Sequence, residues 1–168
     1  MPAFNNLNSL IKHLNERVIK NALGNEVAEK VRDIEQRKID KTVYSGYRPS
    51  TSDGEPWVYK RRRDNGGLRD RKNMIADVQV TSDGVKLSVE NVTTGSQDNF
   101  KIADLIEYGD NTNGKEYAYK RNRDGTADQY LRSRPFTKNT IEELKRTGEH
   151  IDALIDGLKK QGIDVKKK

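Results

Sequence analysis

The stretch Met74-Ile75-Ala76-Asp77-Val78-Gln79-Val80-Thr81-Ser82-Asp83-Gly84-Val85-Lys86-Leu87-Ser88-Val89-Glu90-Asn91-Val92 decides the fold class. Ile75, Val78 and Val80 stand before Ser82-Asp83-Gly84, and Val85, Leu87 and Val89 follow it in strict alternation. A period of two leaves one face of a strand apolar and the other polar. Asp-Gly is a favoured hairpin turn because its residues tolerate positive φ. The segment therefore reads as a two-stranded hairpin whose apolar face needs a cover.

Helical patterns on both sides offer that cover. Towards the C-terminus, Ile141, Leu144, Ile151, Leu154, Ile155 and Leu158 fall on one helical stripe within residues 140–161. Thr140-Ile141-Glu142-Glu143 has the form of a capping box and sets the expected start, and Gly162 sets the stop. Gly148 and Gly157 lie on or near the seam; at Gly148, between Leu144 and Ile151, a missing side chain lets another backbone come close, with packing inside the chain the expected use. Towards the N-terminus, Leu7, Ile11, Leu14 and Val18 recur at steps of four, three and four, and Val27, Val31 and Ile34 resume the rhythm. Gly24-Asn25 places two poor helix formers between them, so two consecutive helices are expected.

Residues 42–47, rich in Val and Tyr before Pro49, predict a short edge strand, and residues 50–56 an exposed loop. Residues 109–129 contain no Leu, Ile, Val or Phe and predict a long loop, a kind that is usually functional or disordered in compact domains. The expectation is one α+β domain over residues 1–168, with a helical extension over 1–24, a body over 25–162 and a basic tail over 163–168. In it a small, mainly antiparallel sheet packs against N-terminal helices and a long C-terminal helix, with Leu68, Ile106, Phe136 and Leu144 buried.

Composition narrows the function. Leu, Ile, Val and Phe number 11, 11, 11 and 3 of 168, about 21%, near the roughly 20% below which a highly charged chain stays disordered. So thin a core points to reliance on partners. No run of about 18 apolar residues is present to span a bilayer, and Met1-Pro2-Ala3-Phe4-Asn5-Asn6 lacks the basic start and apolar stretch of a secretory signal. Cysteine is absent, which removes disulfides, thiol nucleophiles and cysteine zinc sites. The net charge of +6 allows an anionic partner, but both signs are abundant, so location decides.

No catalytic set emerges. His13 and His150 sit within helical patterns without ligand spacing and read as solvated surface residues. Asp104, Glu107 and Asp110 are three apart, as carboxylates on one helical face must be to hold a cation, yet the spacing also arises by chance among 26 acids. Phosphate-loop, dinucleotide and nucleophile-elbow motifs are missing. The expectation is a protein that is not an enzyme and carries no metal or cofactor. A small nuclease built on those three carboxylates is the remote catalytic alternative.

The basic clusters say more. Tyr59-Lys60-Arg61-Arg62-Arg63-Asp64 and Tyr119-Lys120-Arg121-Asn122-Arg123-Asp124 are nearly the same hexapeptide, and residues 59–73 alone carry seven bases against two acids. Aromatic and guanidinium groups in loops can track a phosphate backbone or stack on bases. They can equally be solvated, or pair with acids on a neighbouring copy.

The order of motifs resembles the neck or tail-completion proteins of tailed bacteriophages, also described as minor capsid or head-tail joining proteins. The resemblance covers roughly residues 25–162. It is carried by Tyr44 and Tyr47 before Pro49, Tyr59 with Arg61-Arg62, Asn65-Gly66-Gly67-Leu68-Arg69, the hairpin, Ile102-Ala103-Asp104-Leu105-Ile106-Glu107-Tyr108-Gly109, and Arg134-Pro135-Phe136 opening a last helix. Against the family's Thr-Gly-x-Leu-Arg motif, Gly66, Leu68 and Arg69 match and Asn65 replaces Thr. Glu107 and Gly109 match its Glu-aromatic-Gly signature, with Asp110 in place of Thr.

The resemblance implies a virion protein forming a homo-oligomeric ring between the head connector and the tail, around the DNA channel, with no membrane partner. Gly66, Leu68, Glu107, Gly109, Arg134, Pro135 and Phe136 would then be structural. Tyr59, Lys60, Arg61, Arg62, Arg63, Arg69, Tyr119, Lys120, Arg121 and Arg123 would contact partners or, transiently, DNA. A small basic DNA-binding accessory protein is the alternative from a different class.

Overall fold

The computed structural model describes residues 4–45, 62–95, 101–109 and 133–166. They form an α+β protein with helices before and after one two-stranded antiparallel sheet, as the change of period predicts. The chain packs as two compact units, the first from Met1–Asp33, Ala76–Glu90 and Glu143–Lys168, the second from Ile34–Ile75 and Asn91–Glu142, counting their described residues. No described helix is long and apolar enough to cross a membrane.

Residues 7–44 are helical throughout, which corrects the expectation of two helices. Three α-helical stretches, α1 (Leu7–His13), α2 (Lys20–Ala22) and α3 (Ala28–Ile39), alternate with wider π-helical turns at Leu14–Ile19, Leu23–Val27 and Asp40–Tyr44. Each wide turn closes with a bond five residues back, from Lys20 to Asn15, Ala28 to Leu23 and Ser45 to Asp40. The buried positions explain the second of them. Val18 to Ala22 is a step of four, but Ala22 to Val27 is a step of five, and only a turn holding an extra residue keeps both on the same face. Gly24-Asn25 thus widens the helix without ending it. The edge strand expected at residues 42–47 is corrected as well, because Thr42, Val43 and Tyr44 lie in the last wide turn and Val43 is buried there. Residues 46 and 47 of that segment, the loop expected at 50–56 and residues 110–129 of the expected long loop fall outside the described residues.

The hairpin β1 (Met74–Thr81) and β2 (Gly84–Asn91), of which residues 76–90 belong to the first unit, presents Val85, Leu87 and Val89 as half-buried alternate residues. On β1 the half-buried positions are Ala76 and Val78, so Ile75, expected on the inner face, points outward and is 48% exposed. A Cβ on Gly24 would lie 3.6 Å from Val78 Cγ2, so the second wide turn packs on the hairpin. The same turn also receives α6 (Glu149–Lys160). At that crossing Gly157 faces Ala22, where a Cβ would come within 2.9 Å of the Ala22 Cβ. Gly157 therefore serves packing inside the chain.

The single C-terminal helix of the sequence reading is two helices, α5 (Phe136–Thr147) and α6. Gly148 separates them with φ +70°, a left-handed conformation that ends an α-helix and that side-chain-bearing residues adopt at a cost. α6 stops where expected: Ile163 donates to the Leu158 carbonyl at 3.0 Å and Gly162 to that of Lys159 at 2.9 Å, the paired bonds of a Schellman cap. In the second unit, α4 (Ile102–Tyr108) begins where the Ile102 N–H meets the Thr93 carbonyl at 2.9 Å. The core here includes Ile34, Ile39, Leu68, Met74 and Phe136. Leu68 and Phe136 are buried as expected, whereas Ile106 and Leu144 are only half-buried, each on the flank of a short helix.

Candidate functional site

The glycine-rich segment after the first basic cluster folds into a tight turn in the second unit. Gly66 has φ +69°, and its N–H donates to Asp70 Oδ2 at 2.8 Å while Lys72 N–H donates to Oδ1 at 3.0 Å. These two backbone donors, that of Gly66 first, hold the Asp70 carboxyl below its usual 3.8. Gly67 is required by space: a Cβ there would lie 2.2 Å from the Arg62 carbonyl oxygen. Three successive carbonyls of the turn are then claimed by amide side chains. Asn73 donates to Gly67 at 3.0 Å, Asn91 to Leu68 at 2.8 Å and Gln36 to Arg69 at 2.8 Å. With Leu68 buried beneath, the turn is fixed from three directions.

This rigid turn positions a chain of alternating charges. Arg69 hydrogen-bonds Asp64 through one terminal nitrogen and Asp40 Oδ2 through Nε at 2.8 Å. Asp40 Oδ1 accepts from Arg63 Nη2 at 2.6 Å, and the Arg63 guanidinium lies 5.0 Å from the centre of the Tyr44 ring. The order is Asp64, Arg69, Asp40, Arg63, Tyr44. Its hydrogen bond to Asp64, foremost, and the nearby Asp40 charge raise the Arg69 pKa above its already high ordinary value. Arg62 turns elsewhere, donating to the Thr94 carbonyl at 3.1 Å, and its own carbonyl accepts from the Tyr44 hydroxyl at 2.8 Å.

The second framework element joins α4 to α5. Glu107 is buried, and its carboxylate accepts from the Thr137 N–H at 2.8 Å and the Lys138 N–H at 3.0 Å. It fills the role of an N-cap from another helix, where unsatisfied N–H groups and the positive helix end favour a carboxylate. This corrects the capping box expected at Thr140. α5 begins four residues earlier at Phe136, and the Thr140 hydroxyl donates back to the Phe136 carbonyl at 2.8 Å. Around the cap, Ser133 donates to the Glu107 carbonyl at 2.5 Å, Arg134 N–H to that of Ile106 at 2.8 Å, and the Pro135 carbonyl accepts from Asn139 at 3.0 Å. Gly109 ends α4 with φ +72°.

Gly66, Leu68, Arg69, Glu107, Gly109, Arg134, Pro135 and Phe136 are thus gathered in one unit, Arg63 and Arg69 meeting on Asp40. Tyr59, Lys60, Arg61, Tyr119, Lys120, Arg121 and Arg123 lie outside the described residues. Of the carboxylate trio, Glu107 is committed to α5, Asp104 is exposed and Asp110 lies outside the described residues, and no group of three metal-ligating side chains gathers among the described residues. Both histidines, expected on a solvated face, are half-buried, His13 with its ring 5.0 Å from that of Phe4. In the first unit a groove of about 590 Å³ between residues 26–33 and α6 is rich in carboxylates, with Glu26 paired to Lys160 at 2.8 Å and Glu149 to Lys30 at 3.6 Å. Asp40, Gln36 and Asn91 went unnoticed in the sequence, because each meets its partner across 23 to 33 residues.

A family model described as YomN matches residues 6–160, both units included. The chain belongs to the YomN family. The family is phage-associated, in keeping with the bacteriophage character of the resemblance drawn from the motif order. No curated protein and no solved structure matches this YomN-family chain.

Proposed function

We propose that this YomN-family protein is a structural component of the phage particle, a neck or tail-completion subunit. It forms a homo-oligomeric ring that joins the head connector to the tail around the DNA channel. The observation that carries this reading is the work done by the motif residues. A fixed turn at residues 66–70, a buried carboxylate closing α5 and a core phenylalanine make a framework for presenting surfaces, with no convergent catalytic group among the described residues. The arginines of that framework hold carboxylates, the chemistry of protein contacts, to which the planar guanidinium is well suited. A channel that DNA must traverse gains nothing from tight phosphate contacts, since translocation has to break each one.

The test is made in the virus. Replacing Arg61, Arg62 and Arg63 together with Ser is expected to give particles that fail at head-tail joining, visible by electron microscopy and in lost infectivity. Normal tailed, infectious particles would overturn the assembly role. The second reading, a DNA-binding accessory protein, rests on the +5 balance of residues 59–73. It takes over if the purified protein binds duplex DNA at physiological salt with a Kd of about 1 μM or below and the triple variant loses that binding with a shallower salt dependence.

A further inference from the structure

We infer that Arg63 is a docking residue for a carboxylate on a partner protein, and that Asp40 occupies it until the partner arrives. The inference rests on the assembly reading above and names the chemistry of its contact. In the alternating series, Arg69 lies between two carboxylates and Asp40 between two guanidinium groups, whereas Arg63 is the terminal cation with one charged partner among the described residues. Its described hydrogen bond uses a single terminal nitrogen, and its side chain is 52% exposed, the most open of the two arginines. A guanidinium recognises a carboxylate best through two parallel N–H bonds, and Arg63 has the donors for them.

Exchange is easy for physical reasons. Exposed ion pairs contribute little and are weakened by salt, so a second carboxylate of better geometry competes with Asp40 on nearly equal terms. Release of Arg63 leaves Asp40 paired with Arg69, so no charge is stranded. The backbone need not move, because the Arg69 N–H stays on the Arg63 carbonyl at 3.1 Å and the turn is clamped by Gln36, Asn73 and Asn91. Tyr44 keeps the guanidinium oriented through its ring face, a contact compatible with a carboxylate approaching edge-on. The resident group being a carboxylate selects an aspartate or glutamate side chain over a phosphodiester.

The probe is a hexaglutamate peptide, titrated by calorimetry against the full chain at low ionic strength. Asp40→Asn is nearly isosteric and should tighten peptide binding about two- to fivefold, the range that loss of one exposed competing pair provides. Asp83→Asn makes the same charge change in the hairpin turn of the first unit, where the Asp83 carboxylate accepts from the Ser82 hydroxyl at 3.1 Å, and should leave affinity unaltered. Arg63→Gln should weaken binding by a similar factor or more. Equal affinities for Asp40→Asn and Asp83→Asn would overturn the inference, as would a failure of every form to bind. Tightening towards a short duplex DNA and not towards the peptide would also overturn it, in favour of phosphate. The two readings fail separately: normal particles from the Arg61-Arg62-Arg63 variant remove the neck role even if Asp40→Asn tightens binding. Defective particles without that tightening remove the exchange alone.

Discussion

Glu107 Oε2 accepts the backbone N–H of Thr137 at 2.8 Å, so the carboxylate near the end of one helix closes the beginning of another thirty residues later. With Oε1 on Lys138, two of the four N–H groups that a helix start leaves unpaired are satisfied by one side chain. The contact also holds Phe136, the first residue of α5, in the core.

Removal of that carboxylate should be felt in stability. Glu107→Ala is expected to cost about 1 to 2 kcal/mol, the upper range for losing a helix cap, and Glu107→Gln less, because its amide oxygen can still accept one bond. Urea denaturation of the three forms checks this. Coincident midpoints for Glu107→Ala and wild type would mean that water replaces the carboxylate without loss.

A second expectation concerns the crossing of α6 over the wide turn. Gly157→Ala gains roughly 1 kcal/mol of helix propensity, yet its Cβ would meet the Ala22 Cβ at 2.9 Å and the Ala22 Cα at 3.1 Å. Overpacking of this kind costs about 1 to 3 kcal/mol, so the substitution should destabilise on balance. Pairing it with Ala22→Gly reopens the space, and the double variant should be more stable than the sum of its single changes indicates. Strict additivity in thermal or chemical unfolding would show that the two helices do not meet there.

How much of this was legible in the sequence varied with the range of the interaction. The hairpin was readable because alternation and Asp83-Gly84 act within a few residues. Gly162 was readable for the same reason, since its cap is built from Leu158 and Lys159 just before it. The start of α5 was misplaced because the true cap, Glu107, lies thirty residues before Thr137, and nothing within residues 133–140 reports that. Val43 and Tyr44 favour strands by intrinsic preference, but burial of Val43 on the stripe continued from Ile39 overrides it. At Gly24-Asn25 propensity suggested a break, although the five-residue step from Ala22 to Val27 carried the better signal. The candidate site was half visible: its arginines stand out as a cluster, while Asp40, which organises them, is one carboxylate among many.

Acid should probe the glycine turn selectively. Asp70 is held below its usual 3.8 by the N–H groups of Gly66 and Lys72, so it binds protons more weakly in the folded chain than in the unfolded one. Its stabilising contribution is therefore complete above the unfolded pKa and is lost as pH falls from about 4 through the folded value. Asp70→Asn should flatten that part of the acid limb of the stability curve and leave the slope near neutrality unchanged. An identical acid limb in both proteins would remove the turn from the account of acid sensitivity.

The wide turn at Leu23–Val27 also bears on how relatives of this chain are to be compared. A homologue whose helix is regular at that point would keep the same residues facing inward with one residue fewer. The two would then align only with a single gap in mid-helix, a place where gaps are ordinarily treated as mistakes and shifted into the nearest loop. Moving it would throw every buried position on one side of Asn25 out of correspondence, although the two helices would superpose on both sides of the turn.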